Sequence, residues 1–158
     1  MVAVFVTILM VAFPIKYKPL IRTAANEHGV DKTIIASVIN AESKFKKDAV
    51  SKKGAVGLMQ IMPSTGEFIA EMMGIDDYNL LDEQTNIEMG TFYLRYLLDK
   101  FVDLKTALMA YNAGEGNVTN WIANGLGSDN KLEKSPYPAT NKYVEKVLNG
   151  MNMYKFRV

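Results

Sequence analysis

The stretch DKTIIASVINAESKFKKDAVSKKGAVGLMQIM, Asp31 to Met62, decides how the rest of the chain is read. Asp31 is a good helix N-cap and no breaker interrupts Lys32 to Ala41, so a helix starts there. Ile35, Val38, Ile39 and Glu42 recur at i, i+3, i+4 and i+7, the spacing of one helical face. That puts a carboxylate on the stripe expected to face the core. Burial penalises the charged form and raises a carboxyl pKa, the property a general acid working near neutral pH needs. The competing reading is that the helix is ending and Glu42 turns out to solvent, as most carboxylates on amphipathic helices do. Beyond it, Lys44 to Lys53 is polar and basic apart from Phe45, Ala49 and Val50, and reads as a surface loop or a single turn. Gly54 and Gly57 then bracket a bend.

Working outward, Leu20, Ile21, Ala24 and Ala25 mark a helix within Tyr17 to Glu27, closed by Gly29. Pro63-Ser64-Thr65 is a helix-start signal, and Phe68, Ile69, Met72 and Met73 are expected to form the apolar face that follows. Asp82 can cap a long helix to about Lys100, and another is predicted from about Asp103 to Asn112. Val118 to Asn124 restarts a helix around Trp121, Gly125 to Ser135 reads as a polar loop, and Thr140 to Leu148 as the last helix. No stretch sustains strand alternation. The expected fold class is all-α, or α+β at most, with room for a small strand pair near Ala55 to Met62.

Composition narrows the partners. Eighteen Lys and Arg against 17 Asp and Glu leave no electrostatic case for a nucleic-acid partner. With no cysteine, a disulfide framework and any thiolate-ligated metal site are excluded. The single histidine, His28, sits at an apparent helix end and is assigned a structural, capping role. No metal or organic cofactor is implied.

Met1 to Phe13 is apolar except for Thr7 and ends at Pro14. It is too short to cross a hydrocarbon core of roughly 30 Å, which needs about 20 residues. It has the length of a secretory h-region but lacks a basic flank and a cleavage site. Residues 1–14 are therefore read as the remnant of a membrane anchor or signal, with a segment packed on the domain as the alternative. Residues 15–150 form the expected globular unit and 151–158 a tail.

Four islands occur in order: Glu42-Ser43; Ser51 with Gly54-Ala55-Val56-Gly57-Leu58-Met59-Gln60-Ile61-Met62-Pro63; Asn86-Ile87 with Gly90; and Ala110-Tyr111-Asn112-Ala113-Gly114. Each alone is weak. Together, from about Tyr17 to Leu148, they resemble the catalytic domain of the soluble-type lytic transglycosylases, which share the goose-lysozyme fold. The resemblance implies a compact multi-helix domain with a central catalytic helix and a substrate cleft. Its substrate would be peptidoglycan glycan strands, cleaved between N-acetylmuramic acid and N-acetylglucosamine to leave 1,6-anhydro ends, by a monomer working outside the cytoplasm in the cell envelope. Glu42 matches the family's single acid/base. Ser51, Gln60 and Met62 match cleft-lining positions, Tyr111 and Asn112 the aromatic–amide pair facing that acid, and Tyr143 the aromatic residue closing the cleft. Ser43 is read as structural, bonding back to the helix. In Pro136-Tyr137-Pro138-Ala139-Thr140, Ala139 stands where the family commonly has a glutamate, so altered affinity or stem-peptide preference is expected rather than lost chemistry. The alternatives are a hydrolytic muramidase on the same fold and a non-catalytic glycan-binding domain.

Overall fold

The structure, a computed structural model, describes residues 13–158, and the apolar run Met1 to Ala12 lies outside them. Seven α-helices occur among the described residues, named here in chain order. Helix α1, Lys18–His28, carries Pro19 in its first turn and stops at Gly29, whose N–H bonds Ala25 O. The cap is thus backbone, and the His28 ring instead packs edge-on against Phe92, 5.7 Å away. Helix α2, Lys32–Glu42, begins where the Asp31 carboxylate accepts from Thr33 N at 2.7 Å. Its residues Ile34 to Asn40 are buried on every side, not along one stripe, so α2 is the central helix. Its most extensive neighbour is α7, Pro138–Tyr154.

Helix α3, Pro63–Met73, differs from expectation in the face it buries. Phe68 and Met72 are 39% and 45% exposed, while Gly66, Ile69 and Ala70 are buried and Met73 half-buried. Those four residues keep the i, i+3, i+4, i+7 spacing, and small Gly66 and Ala70 let α3 lie close to its neighbours. Phe68 packs instead across the rings of Tyr93 and Tyr96.

Helix α4, Glu83–Lys100, and helix α5, Leu104–Ala113, both start as predicted, with Asp82 accepting from Thr85 N and Asp103 from Thr106 N at 2.8 Å each. Helix α6, Glu115–Trp121, begins three residues earlier than Val118, directly at Gly114, and runs into a wider turn, Ile122–Leu126. In the following loop Leu132 is buried and its N–H bonds Thr106 Oγ1 at 2.9 Å.

The expected strand pair is reduced to isolated antiparallel bridges, Val50 with Val56 and Val56 with Ile61. Helix α7 is longer than predicted at both ends. The division placed after residue 150 falls inside it, and Tyr154 is fully buried, its hydroxyl donating to Pro14 O at 2.7 Å. Phe13 and Phe45 lie against that same ring at 6.0 and 6.2 Å between centroids. The core gathers around α2: Ile21 of α1, Leu58 of the loop, Leu94 and Leu97 of α4, Leu108 of α5 and Val147 of α7 are all wholly buried.

Candidate active site

Glu42 is the last residue of α2, where the helix leaves the core and meets solvent. The next residue is buried Ser43, whose Oγ donates back to Ile39 O at 3.1 Å, the structural role predicted for it. The chain then takes left-handed backbone at Lys44 and Phe45, φ 54° and 61°, and returns across the helix end. Neither residue favours that region, and burial of Phe45 against Tyr154 holds the pair there.

Half-buried Glu42 lines a cleft of about 390 Å³. Burial raises its pKa to about 7, against weaker opposing pulls from the Tyr143 hydroxyl and the Lys146 ammonium. The Tyr143 hydroxyl is buried and faces the carboxylate without a well-aligned hydrogen bond to any group. Lys146, one turn further along α7, donates to Ala41 O at 2.7 Å, which fixes its charge beside the end of α2. The solvent-exit reading of Glu42 is therefore excluded.

The opposite wall is the loop from Ser51 to Met62. Asn86 of α4, 1% exposed, holds that loop with three bonds: its Oδ1 accepts from Met59 N at 2.7 Å, and its Nδ2 donates to Leu80 O at 2.8 Å and Val56 O at 3.0 Å. Gly57 has φ 81°, and a Cβ there would lie 2.3 Å from Asn86 Nδ2. At Gly90 a Cβ would come within 2.5 Å of Met59 Sδ. Two of the four sequence islands are thus one clamp.

The residues predicted for the site converge, but their polar atoms are used differently from the expectation. Glu42, Ser51, Gln60, Met62, Tyr111 and Asn112 all line the cleft, whereas Tyr143, expected to close it, is buried beside Glu42 and is not among the lining residues. Gln60 commits both amide N–H groups to the loop, donating to Gly57 O at 2.9 Å and Ala49 O at 3.0 Å, so its Oε1 is the atom left to face a ligand. Ser51 Oγ accepts from Ala55 N at 2.9 Å and keeps its own proton to donate. Asn112 Oδ1 accepts from Thr140 Oγ1 at 3.0 Å, which leaves its amide N–H groups. Tyr111, expected to face the acid, lines the cleft with Glu42. Its hydroxyl donates to Met59 O at 2.9 Å, and the phenol that addresses Glu42 is that of Tyr143.

Lys53, Thr65 and Tyr93 also line the cleft, and none was marked by a motif. Tyr93 stands 5.7 Å from the Tyr111 ring and stacks on Tyr96 at 6.0 Å, extending an aromatic wall towards Phe68. Its position at helical spacing from buried Gly90 and Leu97 is the only sequence signal that could have pointed to it. Among the described residues lining the cleft, Glu42 is the one acid. Asp48 and Glu67 are exposed elsewhere, and Glu83 pairs with Lys47 at 3.3 Å. Away from the cleft, Glu27, His28 and Glu88 bring their donor atoms within 4.8 Å of one another, a grouping the sequence did not suggest.

Comparison with known proteins bears on the fold and the family. The sequence profile of the transglycosylase SLT domain matches residues 19–133. The soluble lytic murein transglycosylase of Salmonella typhimurium is 35% identical over 86% of this chain, which spans 22% of that protein. Membrane-bound lytic murein transglycosylase C of Haemophilus influenzae is 32% identical over 90% of the chain, which spans 43% of it. Among solved structures, the 70 kDa soluble lytic transglycosylase of Escherichia coli superposes with a TM-score of 0.83 and 32% identity, covering 94% of this chain and 25% of that one. A 70 kDa soluble lytic transglycosylase in complex with bulgecin A gives a TM-score of 0.82 at 31% identity, covering 94% of this chain and 25% of that one. An inactive Glu-to-Gln mutant of lytic transglycosylase Slt from Pseudomonas aeruginosa gives 0.79 at 27% identity, covering 93% of this chain and 25% of that one. The chain thus spans about a quarter of the length of the soluble relatives, and with its helical fold, its cleft and the matched profile it belongs to the transglycosylase SLT domain family.

Proposed function

We propose that this domain is a peptidoglycan lytic transglycosylase in which Glu42 is both the acid and the base. The observation that carries the reading is a lone carboxyl group in a cleft, with its pKa raised to about 7 by burial. Ordinary glycosidases use two carboxyl groups, roughly 5–9.5 Å apart, because a nucleophile or an activated water must be supplied. A single acid suffices when the nucleophile belongs to the substrate.

The protonated Glu42 gives its proton to the glycosidic oxygen as the bond to the muramoyl anomeric carbon breaks. The resulting carboxylate lies beside the oxocarbenium-like carbon. It then removes the proton from the 6-hydroxyl of the same sugar as that oxygen attacks the anomeric carbon. Glu42 is left protonated and no water is consumed. A group titrating near 7 can do both, since the driving force is similar in each direction. The amide oxygen of Gln60, the hydroxyl of Ser51 and the amide of Asn112 are assigned to the acetamido and hydroxyl groups of the sugar, with Met62 and Tyr93 as apolar walls. Tyr143 is assigned the tuning of Glu42. The names of the relatives, and the inactive Glu-to-Gln form among the similar structures, support this assignment. The same names support action in the cell envelope, and the membrane-bound relative supports attachment to a membrane, which we assign to the N-terminal segment.

The test is digestion of purified peptidoglycan followed by mass measurement of the fragments. Muropeptides with anhydro ends, each lighter by one water than a hydrolysed fragment, are expected. Fragments with reducing ends only would establish a hydrolytic muramidase, and no fragments would establish a binding domain.

A further inference from the structure

We propose that the face made by residues 13–18, 44–48 and 154–158 docks on an anionic lipid bilayer, beside the apolar run Met1 to Ala12. The inference rests on the envelope location proposed above and not on the chemistry of the cleft. Three distant segments are brought together here by one ring. Tyr154 packs against Phe13 and Phe45 and donates to Pro14 O, and the Arg157 guanidinium donates to Phe13 O. Phe13 and Pro14, which follow the apolar run in sequence, are therefore held at this face.

The charge there is lopsided. The three segments hold Lys16, Lys18, Lys44, Lys46, Lys47, Lys155 and Arg157 but only one acid, Asp48, in a chain with 18 cations and 17 acids. Lys16, Lys44, Lys46, Lys47 and Lys155 are exposed, and of these Lys47 pairs with Glu83 at the margin. Phe156, between Lys155 and Arg157, is 89% exposed, the most exposed of the large apolar side chains among the described residues. An aromatic ring projecting among lysines suits the headgroup boundary of a membrane, where the ring enters the apolar edge and the ammonium groups meet phosphate. Stable attachment generally takes two signals, such as an apolar insertion with a polybasic patch, and each basic residue near an anionic surface strengthens partitioning about fivefold. Patch and run together supply both signals.

The experiment uses the full chain with vesicles containing phosphatidylglycerol and with vesicles of pure phosphatidylcholine. Reversing three exposed charges, Lys16→Glu with Lys46→Glu and Lys155→Glu, is expected to weaken binding to the anionic vesicles at least tenfold at low salt. Binding to the neutral vesicles should not change. In a Trp121→Phe background, Phe156→Trp places the sole indole at the face. Its emission should shift to the blue on anionic vesicles and be quenched by brominated lipid. Unchanged affinity after charge reversal, or an indole that stays in water on bound vesicles, overturns the proposal. So does tighter binding to soluble polyphosphate than to anionic vesicles, which would make the face a site for polyanions. Muropeptide release from soluble peptidoglycan fragments should be the same in all these variants, so that docking and catalysis fail separately.

Discussion

Glu42 is made useful by an environment that destabilises the fold. Its folded-state pKa of about 7 lies above the ordinary 4.5, so the folded protein holds the proton more tightly than the unfolded chain does. Stability is then greatest below the unfolded pKa, declines as the pH rises towards about 7, and levels off above it. A displacement of that size corresponds to on the order of 3 kcal/mol. Glu42→Gln, nearly the same shape without the charge, should therefore melt at a higher temperature than the parent at pH 8, with the gain fading towards pH 4. The same variant should lose glycan cleavage by at least a hundredfold, as removal of a general acid–base commonly costs about 10²–10⁴. An unchanged melting temperature at pH 8 would mean that the carboxylate is solvated. The tuning groups can be read separately. The Tyr143 hydroxyl and the Lys146 charge both pull the Glu42 pKa down. Tyr143→Phe and Lys146→Met should each move the alkaline limb of the rate–pH profile to higher pH, because the acid then stays protonated further. A limb that moves to lower pH in either variant would contradict the assignment.

The loop from Ser51 to Met62 has almost no regular structure, so its shape depends on side chains from other elements. Asn86 satisfies three backbone groups at once, and Tyr111 a fourth. Asn86→Ala leaves buried donors and acceptors unpaired, each costing about 1–3 kcal/mol, so a loss of 3 kcal/mol or more is expected in denaturant unfolding. Tyr111→Phe keeps the ring and removes one bond to Met59 O. It should cost about 1 kcal/mol in stability and raise KM more than it lowers kcat, since the wall loosens while Glu42 keeps its surroundings. An unchanged KM with a collapsed kcat would return Tyr111 to a direct role at the carboxyl group. This clamp also marks how far sequence reading reached. Helices α2, α4 and α5 were legible because Asp31, Asp82 and Asp103 announce their starts and apolar residues recur behind them. Asn86 and Gly90 stood out as an island, but their meaning is a contact with residues about 30 positions away, which no local pattern encodes. Likewise, two tyrosines could be assigned to the cleft while the direction of each hydroxyl could not. Tyr111 lines the cleft with Glu42 but spends its hydroxyl on Met59 O, and Tyr143 turns its hydroxyl towards Glu42.

At the scale of the whole molecule, α2 lies against α7, which brings Tyr143 and Lys146 to the end of α2 where Glu42 sits. The far end of α7 ties the N-terminal segment down: Tyr154 is buried, bonds Pro14 O and contacts Phe13 and Phe45. Sequence reading stopped this helix at Leu148 because Asn149 and Gly150 interrupt the apolar pattern, and both are poor helix formers. Tertiary burial of Tyr154 overrides that local preference, and the last residues become part of the core. The consequence can be measured. Tyr154→Ala removes a fully buried ring and should cost about 3–5 kcal/mol, on the order of 10 °C in melting temperature for a domain of this size. Tyr154→Phe loses only the bond to Pro14 O and should cost about 1 kcal/mol. Three turns of helix separate Tyr154 from Tyr143, so below the melting transition neither variant should displace the alkaline limb set by Glu42. If Tyr154→Ala left the melting temperature where it was, residues 151–158 would be an appendage after all. If it moved the limb without moving the melting temperature, α7 would be transmitting strain to the acid instead of anchoring the fold.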